Sequence, residues 1–386
     1  MSSIEILDRL VGFPTVSRQS NLGLMAYVSD FLSSAGIESR QVAGDYDDRT
    51  NLFATVGPAD RPGVLLSGHT DVVPAMDQPG WSVEPFRLTR RNGWLMGRGT
   101  ADMKGFVACA LAAAGRAARR GRLRSPLHLA LSCDEEIGCL GVRDLIPAIA
   151  AARCRPAFCI VGEPTSMAVA TGHKGKAAFH VDVRGTAGHS ALAPLALNAI
   201  HLGADLVSLL RQKQADLAEL GPRDSGSTVP WTTVHVGLMS GGTQLNIVPD
   251  RCSIDFEIRH VAADDPGAIR AEVEAAAARL IAPHRGQFPG CGITVRPGIA
   301  YPGLDTPADA DVVRFVRSLA ETGALARVDF GTEGGLFSER LEVPTVVCGP
   351  GSMEQGHRPD EFITFDQMAR CDRMMESLLQ TLESGL

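Results

Sequence analysis

What most constrains the fold of this chain is a change of rhythm near residue 174. From Asn51 to about residue 170, short apolar runs suited to strands alternate with longer amphipathic stretches suited to helices. The strand-like runs are Asn51–Val56, Gly63–Ser67, Leu127–Leu131 and Ala157–Val161, and helices are expected at Met103–Arg120 and near Gly141–Ala151. Two helices precede them. One covers 2–12, with Ile4, Leu7, Leu10 and Val11 at helical spacing; the other covers Leu22–Ser34 and closes at Gly36. Such alternation builds an α/β sheet with helices on its faces. Beyond Lys174 the order becomes strand (Lys176–Val183), helix (Leu195–Leu217), strand (Thr232–Leu238), strand (Arg251–Arg259), helix (Pro266–Ala282), strand (Ile293–Arg296). That βαββαβ order is ferredoxin-like, a small sheet with two helices on one face. After Pro302 the first rhythm resumes, with a helix at Ala308–Glu321, a strand at Val343–Cys348 and a final helix at Phe365–Leu382. The expectation is a discontinuous α/β domain over 1–174 and 298–386, interrupted by an inserted domain over 175–297.

Length and composition agree with this division. A chain of 386 residues suits two domains, and 45% hydrophobic with 21% charged residues supports a sizeable core. A net charge of -7 argues against nucleic acid as a partner, since phosphate binding needs clustered cations. The one basic cluster, Arg116 to Arg124, ends a predicted helix, where it complements the helix dipole and is expected to be solvated. No apolar run approaches the roughly 20 residues of a membrane span, and residues 1–10 carry no basic-then-apolar leader. The nine cysteines are scattered without a Cys-x-x-Cys pair. Free thiols in a reducing cytoplasm are expected, with neither a disulfide framework nor a zinc ribbon.

Polar motifs recur at the ends of the expected strands. Gly68-His69-Thr70-Asp71 follows the second, Cys133-Asp134-Glu135-Glu136-Ile137-Gly138 the third, and Gly162-Glu163-Pro164-Thr165 the fourth. Glu354-Gln355-Gly356-His357-Arg358-Pro359-Asp360-Glu361 follows the last, while Gly97-Arg98-Gly99-Thr100-Ala101-Asp102-Met103-Lys104-Gly105 leads into a helix. Each has a mundane alternative: a solvated acidic loop for Glu135-Glu136, a surface histidine beside a capping aspartate for His69, a helix cap for Asp102. Their convergence argues otherwise, because sites in open α/β sheets lie beyond the carboxyl ends of the strands. Two histidines among several carboxylates suit zinc, and neighbouring metals can share a carboxylate.

This series, in this order and over nearly the whole chain, resembles the M20 family of dinuclear zinc aminoacylases and peptidases. The resemblance implies a three-layer α/β/α zinc-peptidase-like catalytic domain whose ferredoxin-like insert is a lid and dimerisation domain. It implies two Zn2+ per subunit, with Co2+ or Mn2+ able to substitute: His69 and Glu163 on one, Glu136 and His357 on the other, Asp102 bridging. Asp71 would hold the imidazole of His69, and Glu135 would be the general base and acid without being a ligand. His189, in Arg184-Gly185-Thr186-Ala187-Gly188-His189-Ser190, resembles the family histidine that reaches the oxyanion, often from a partner subunit; alone it reads as a turn histidine. Asn246 and Arg259 match family positions that meet substrate; alone they read as a turn residue and a strand-end ion pair. The segment Gly331-Thr332-Glu333-Gly334-Gly335 and Gly349-Pro350-Gly351-Ser352 with Glu354-Gln355 resemble the acetylornithine deacetylases of the family. That resemblance implies hydrolysis of N2-acetyl-L-ornithine by a cytoplasmic homodimer in arginine biosynthesis, with no membrane partner. Glu333 would face the substrate amine, or else cap a helix. Succinyl-diaminopimelate desuccinylase or a broad aminoacylase is the alternative.

Overall fold

The computed structural model describes residues 1–44, 46–151 and 156–386. The chain divides into two compact units, Met1–Gly172 with Leu304–Leu386, and His173–Gly303. The second is therefore inserted in the first. Its last strand, Gly292–Tyr301, runs past the expected 297 boundary, and the unit ends with it.

The first unit is built on a nine-stranded sheet. Its centre is four parallel strands in the order Leu127–Ser132, Val64–His69, Phe158–Pro164, Thr345–Gly349. Every residue of Val64–His69 and Leu127–Ser132 is buried. Parallel strands covered on both faces need apolar side chains at successive positions, which is why these runs are continuous rather than alternating. Helices Ser3–Val11, Gly105–Arg120 and Phe365–Ser384 pack together on one face, and Val142–Ala150 and Gly334–Leu341 on the other. The result is a three-layer α/β/α unit. Edge strands of mixed direction were missed by the apolar pattern, because Ser39–Ala43 is largely exposed and Leu304–Asp305 is two residues long.

The inserted unit has a four-stranded antiparallel sheet, ordered Thr233–Gly241, Arg251–His260, Gly175–Arg184, Gly292–Tyr301. Helices Ala199–Leu220 and Pro266–Ile281 bury Leu206, Leu210, Ile269 and Val273 against Val181, Ile254 and Phe256. The first helix starts at Ala199 rather than at the expected Leu195. Pro194 lies in a 3-10 turn, and Asn198 caps the helix by accepting from the Ile200 and His201 amides.

The basic helix end is not simply solvated: Arg120 pairs with Glu376 at 2.8 Å and Glu383 at 3.4 Å, and Arg116 with Glu376 at 3.7 Å, all on the C-terminal helix. Packing the two helices side by side supplies carboxylates that the local sequence does not reveal. The eight described cysteines are free, and Cys154 lies outside the described residues. No described helix is long and apolar enough to cross a membrane.

Candidate metal centre

The four parallel strands end together, and so do their motifs. His69 is the last residue of its strand and lies 1% exposed. Its Nδ1 is 2.9 Å from the main-chain oxygen of Asp71. A carbonyl only accepts, so Nδ1 carries the proton and Nε2 faces the cluster. Nε2 lies 3.0 Å from Asp102 and 3.6 Å from Glu163. Glu163 comes from the next strand, beside Gly162, where a Cβ would fall 2.0 Å from the Phe106 ring. Only glycine lets the helix Gly105–Arg120 approach the strand that closely.

Asp102 sits between two imidazoles. Its other oxygen is 3.0 Å from Nε2 of His357, which is also 3.0 Å from Glu136. His357 is half-exposed in a turn at φ 58°, and Asp134 has φ 53°; such left-handed non-glycine residues concentrate at functional sites. The Asp102–Met103 peptide bond is cis.

The carboxylate of Asp71 has a different set of partners from the one expected. It stands 3.6 Å from Nδ1 of His69, an ion-pair distance, while the hydrogen bond to that imidazole comes from the Asp71 main chain. The carboxylate instead accepts from the amides of Glu135 at 3.0 Å and Glu136 at 3.3 Å and from Ser17 Oγ at 2.7 Å. It thus orients the glutamate pair as well as flanking the imidazole. Asp134 anchors the same loop from outside, accepting from the Arg18 amide and Arg49, each at 2.7 Å.

Two further contacts carry no sequence signature. The Cys139 thiol donates to Glu135 Oε1 at 3.3 Å. Glu333, 1% exposed, accepts from Ser67 Oγ at 3.0 Å, while its Oε1 has no hydrogen-bond partner. Although Glu333 precedes the helix Gly334–Leu341, its side chain caps nothing there. His189, Asn246 and Arg259 belong to the inserted unit. His189 accepts from the Ala191 amide, and the Ser190 amide bonds the Asn246 carbonyl, so these two loops are neighbours. Arg259 lies on the sheet, bonded to Glu257 and Tyr301 at 3.0 Å each.

The electrostatics show what the cluster lacks. Burial, then the charge of Asp102, raises Glu163 well above the usual carboxylate range. Burial, with Glu136 nearby, does the same to Glu135, and burial with Asp102 pushes Glu136 up to about 7. Hydrogen bonds to Asp102 and Glu136 push His357 up to about 10. His69 is raised well above its ordinary value because Glu163 and Asp102 outweigh its burial. Hydrogen bonds from His357 and His69 outweigh burial at Asp102 and lower its pKa. Ionising all four carboxylates at once would put more negative charge here than two imidazoles can offset, and such a set of N and O donors suits a divalent cation. Donor atoms of His69, Asp102 and Glu136, and separately of His69, Glu135 and Glu163, lie within 4.8 Å of one another.

The profile of peptidase family M20/M25/M40 matches residues 65–381. The chain belongs to this family. It is a metallohydrolase of the M20 type, and the family implies a dinuclear metal site. Curated relatives named acetylornithine deacetylase are 31% identical in Pasteurella multocida, over 100% of this chain and 99% of the relative, and 33% identical in Myxococcus xanthus, over 96% and 94%. Among solved structures, an M20 family metallo-carboxypeptidase from Sulfolobus solfataricus superposes with a TM-score of 0.77 at 18% identity over 100% of both chains. A tripeptidase from Staphylococcus aureus does so with 0.75 at 17%, over 99% of this chain and 98% of the other. These M20 structures share the α/β fold with its separate small antiparallel sheet.

Proposed function

We propose that this metallohydrolase removes the acetyl group of N2-acetyl-L-ornithine, releasing L-ornithine and acetate in arginine biosynthesis. The observation that carries the hydrolytic reading is Asp102 held between His69 and His357 beside three crowded glutamates. The full-length curated relatives support the substrate.

The donor set fits two zinc ions, or cobalt in their stead. His69 and Glu163 would hold one, Glu136 and His357 the other, and Asp102 both. When bound, the pair supplies positive charge that acidifies a water and polarises the scissile carbonyl. Glu135 takes a proton from the attacking water as its oxygen bonds to the acyl carbon, and returns that proton to the amine nitrogen as the C–N bond breaks. Asp71 and Cys139 keep Glu135 in register for both transfers, through its amide and its Oε1. His189 donates to the oxyanion as the carbonyl becomes tetrahedral. Arg259, with Nε on Glu257 and Nη1 on Tyr301, would meet the substrate carboxylate through Nη2, and Asn246 adds a polar contact. The unpartnered oxygen of Glu333 is the acceptor that a substrate ammonium would satisfy. The reaction is cytoplasmic and the enzyme works as a homodimer through its inserted lid.

The deciding experiment compares kcat/KM for N2-acetyl-L-ornithine, N-acetyl-L-methionine and N-succinyl-diaminopimelate on the zinc-loaded enzyme. A clear preference for the first is expected. Equal rates on all three would sink the substrate assignment while leaving the hydrolase intact. Sedimentation of the purified chain tests the dimer.

A further inference from the structure

Glu361 and Arg98 stand in motifs quoted above, yet the proposed chemistry uses neither. Both are 1% exposed, and they pair at 2.7 Å. The Glu361 carboxylate accepts from four donors: Arg98 Nη1, and the amides of Gly99 at 3.0 Å, Ala101 at 2.9 Å and Asp102 at 3.1 Å. An ionised carboxylate has about four lone-pair positions, so its capacity is filled. Three of those donors belong to the turn that delivers Asp102 to the metal centre.

Arg98 extends the same network to the other loops. Its Nη2 donates to Gln78 Oε1 at 2.6 Å and to the Pro74 carbonyl at 3.3 Å, and its Nη1 to the Arg358 carbonyl at 3.4 Å. Gln78 in turn donates from Nε2 to the main-chain oxygen of His357 at 2.9 Å. The guanidinium lies 5.1 Å from the Trp81 ring centroid. Three segments therefore meet in one network, buried at Glu361 and Arg98 and reaching the surface at Gln78: the loop after His69, the turn bearing Asp102, and the turn bearing His357. His357 lies in a turn rather than in a helix or strand, and Gln78 holds its backbone while Arg98 holds that of Arg358 beside it.

We propose that Glu361 is a positioning residue for the metal centre, acting with Arg98 and Gln78 to set the spacing between Asp102 and His357. The inference rests on the dinuclear reading above. Glutamine at position 361 would keep the shape and one acceptor, but its amide would present hydrogens to groups that are already donors. The turn would lose its grip, and Asp102 with it. Gln78 acts further out, linking the Arg98 guanidinium to the His357 backbone without touching the Asp102 turn.

The test is zinc titration of the metal-stripped 386-residue chain, followed by calorimetry with a competing chelator. Visible spectra of the Co2+ form and amide hydrogen exchange at Gly99–Asp102 accompany it. The unsubstituted protein is expected to take two equivalents. Glu361→Gln is expected to bind the weaker equivalent about 10–100-fold less tightly, the usual scale for partners of metal ligands. Its Co2+ spectrum should change, and the Ala101 and Asp102 amides should exchange faster. Gln78→Leu, at a partly exposed position, is expected to weaken that equivalent by severalfold with exchange at Ala101 and Asp102 unaltered. If Glu361→Gln does not fold, Glu361→Asp takes its place, since the shorter side chain keeps the charge but draws the carboxylate back from the Gly99, Ala101 and Asp102 amides, and the same weakening and faster exchange are expected. Affinity and Co2+ spectrum equal to those of the unsubstituted protein overturn the proposal. An unsubstituted protein that binds no metal overturns the dinuclear reading, and this inference with it.

Discussion

The two largest sheets among the described residues bury their strands in different ways, and chemistry follows the difference. In the large sheet Leu65 and Leu66 are neighbours, point to opposite faces and are both buried, at 0% and 1% exposure. In the inserted sheet the corresponding neighbours Ile254 and Asp255 diverge: Ile254 is in the core, while the Asp255 side chain is 48% exposed. A parallel sheet covered on both faces leaves only strand ends for polar groups, and there the carboxylates crowd into a donor cluster. An antiparallel sheet with one open face spreads its charges along the strands, where each finds a solvent-screened partner: Lys176 with Glu257, His180 with Asp255, Arg296 with Asp182. Crowding raises buried carboxylates and gathers metal donors; spreading leaves each charge with an opposite partner that favours its ionised form.

The sharpest way to break this contrast is at the crowded strand ends. Glu135→Gln is expected to retain metal and lose about 10²–10⁴-fold in turnover, the scale of a general acid–base group. Substantial residual hydrolysis, with metal content unchanged, would remove Glu135 from its assigned role. Next come the faces. Leu65→Ala and Leu66→Ala should each cost about 2–5 kcal/mol in urea unfolding. In the inserted sheet Ile254→Ala should cost as much, but Asp255→Asn within about 1 kcal/mol. Equal costs at Ile254 and Asp255 would mean that the open face is covered in solution.

Acid should separate the sheets again. His128, on a strand of the large sheet, is 3% exposed and stacked on Phe53, and burial lowers it to about 4. Its folded pKa is depressed, so its contribution is fully present above about 6.5 and is lost as pH falls through 4. The loss is on the order of 3 kcal/mol. Unfolding midpoints at pH 7 and pH 4.5 measure it, and His128→Gln should flatten that part of the profile. His180 in the inserted sheet is raised by its hydrogen bond to Asp255, so its contribution runs the opposite way, present at low pH and lost as pH rises. With its side chain 43% exposed the effect is the smallest of the set, and His180→Gln should scarcely move the midpoint at any pH.

Much of this was readable along the chain. Continuous apolar runs marked the parallel strands, the βαββαβ order marked the insert, and polar motifs just past the strands marked the cluster of His69, Glu135, Glu136, Glu163 and His357. Those features depend on residue type and local period, which a sequence states directly. The partners could not be read. That the Asp71 carboxylate grips the amides of Glu135 and Glu136, that Cys139 reaches Glu135, that Glu333 lies buried against Ser67, and that Glu361 fills itself with amides from the Asp102 turn all depend on which strand ends abut. The central order Leu127–Ser132, Val64–His69, Phe158–Pro164, Thr345–Gly349 is not chain order. Hydrogen bonds act over about 3 Å, so groups more than 200 residues apart, such as Ser67 and Glu333, become partners through the packing of the sheet and of nothing nearer in sequence.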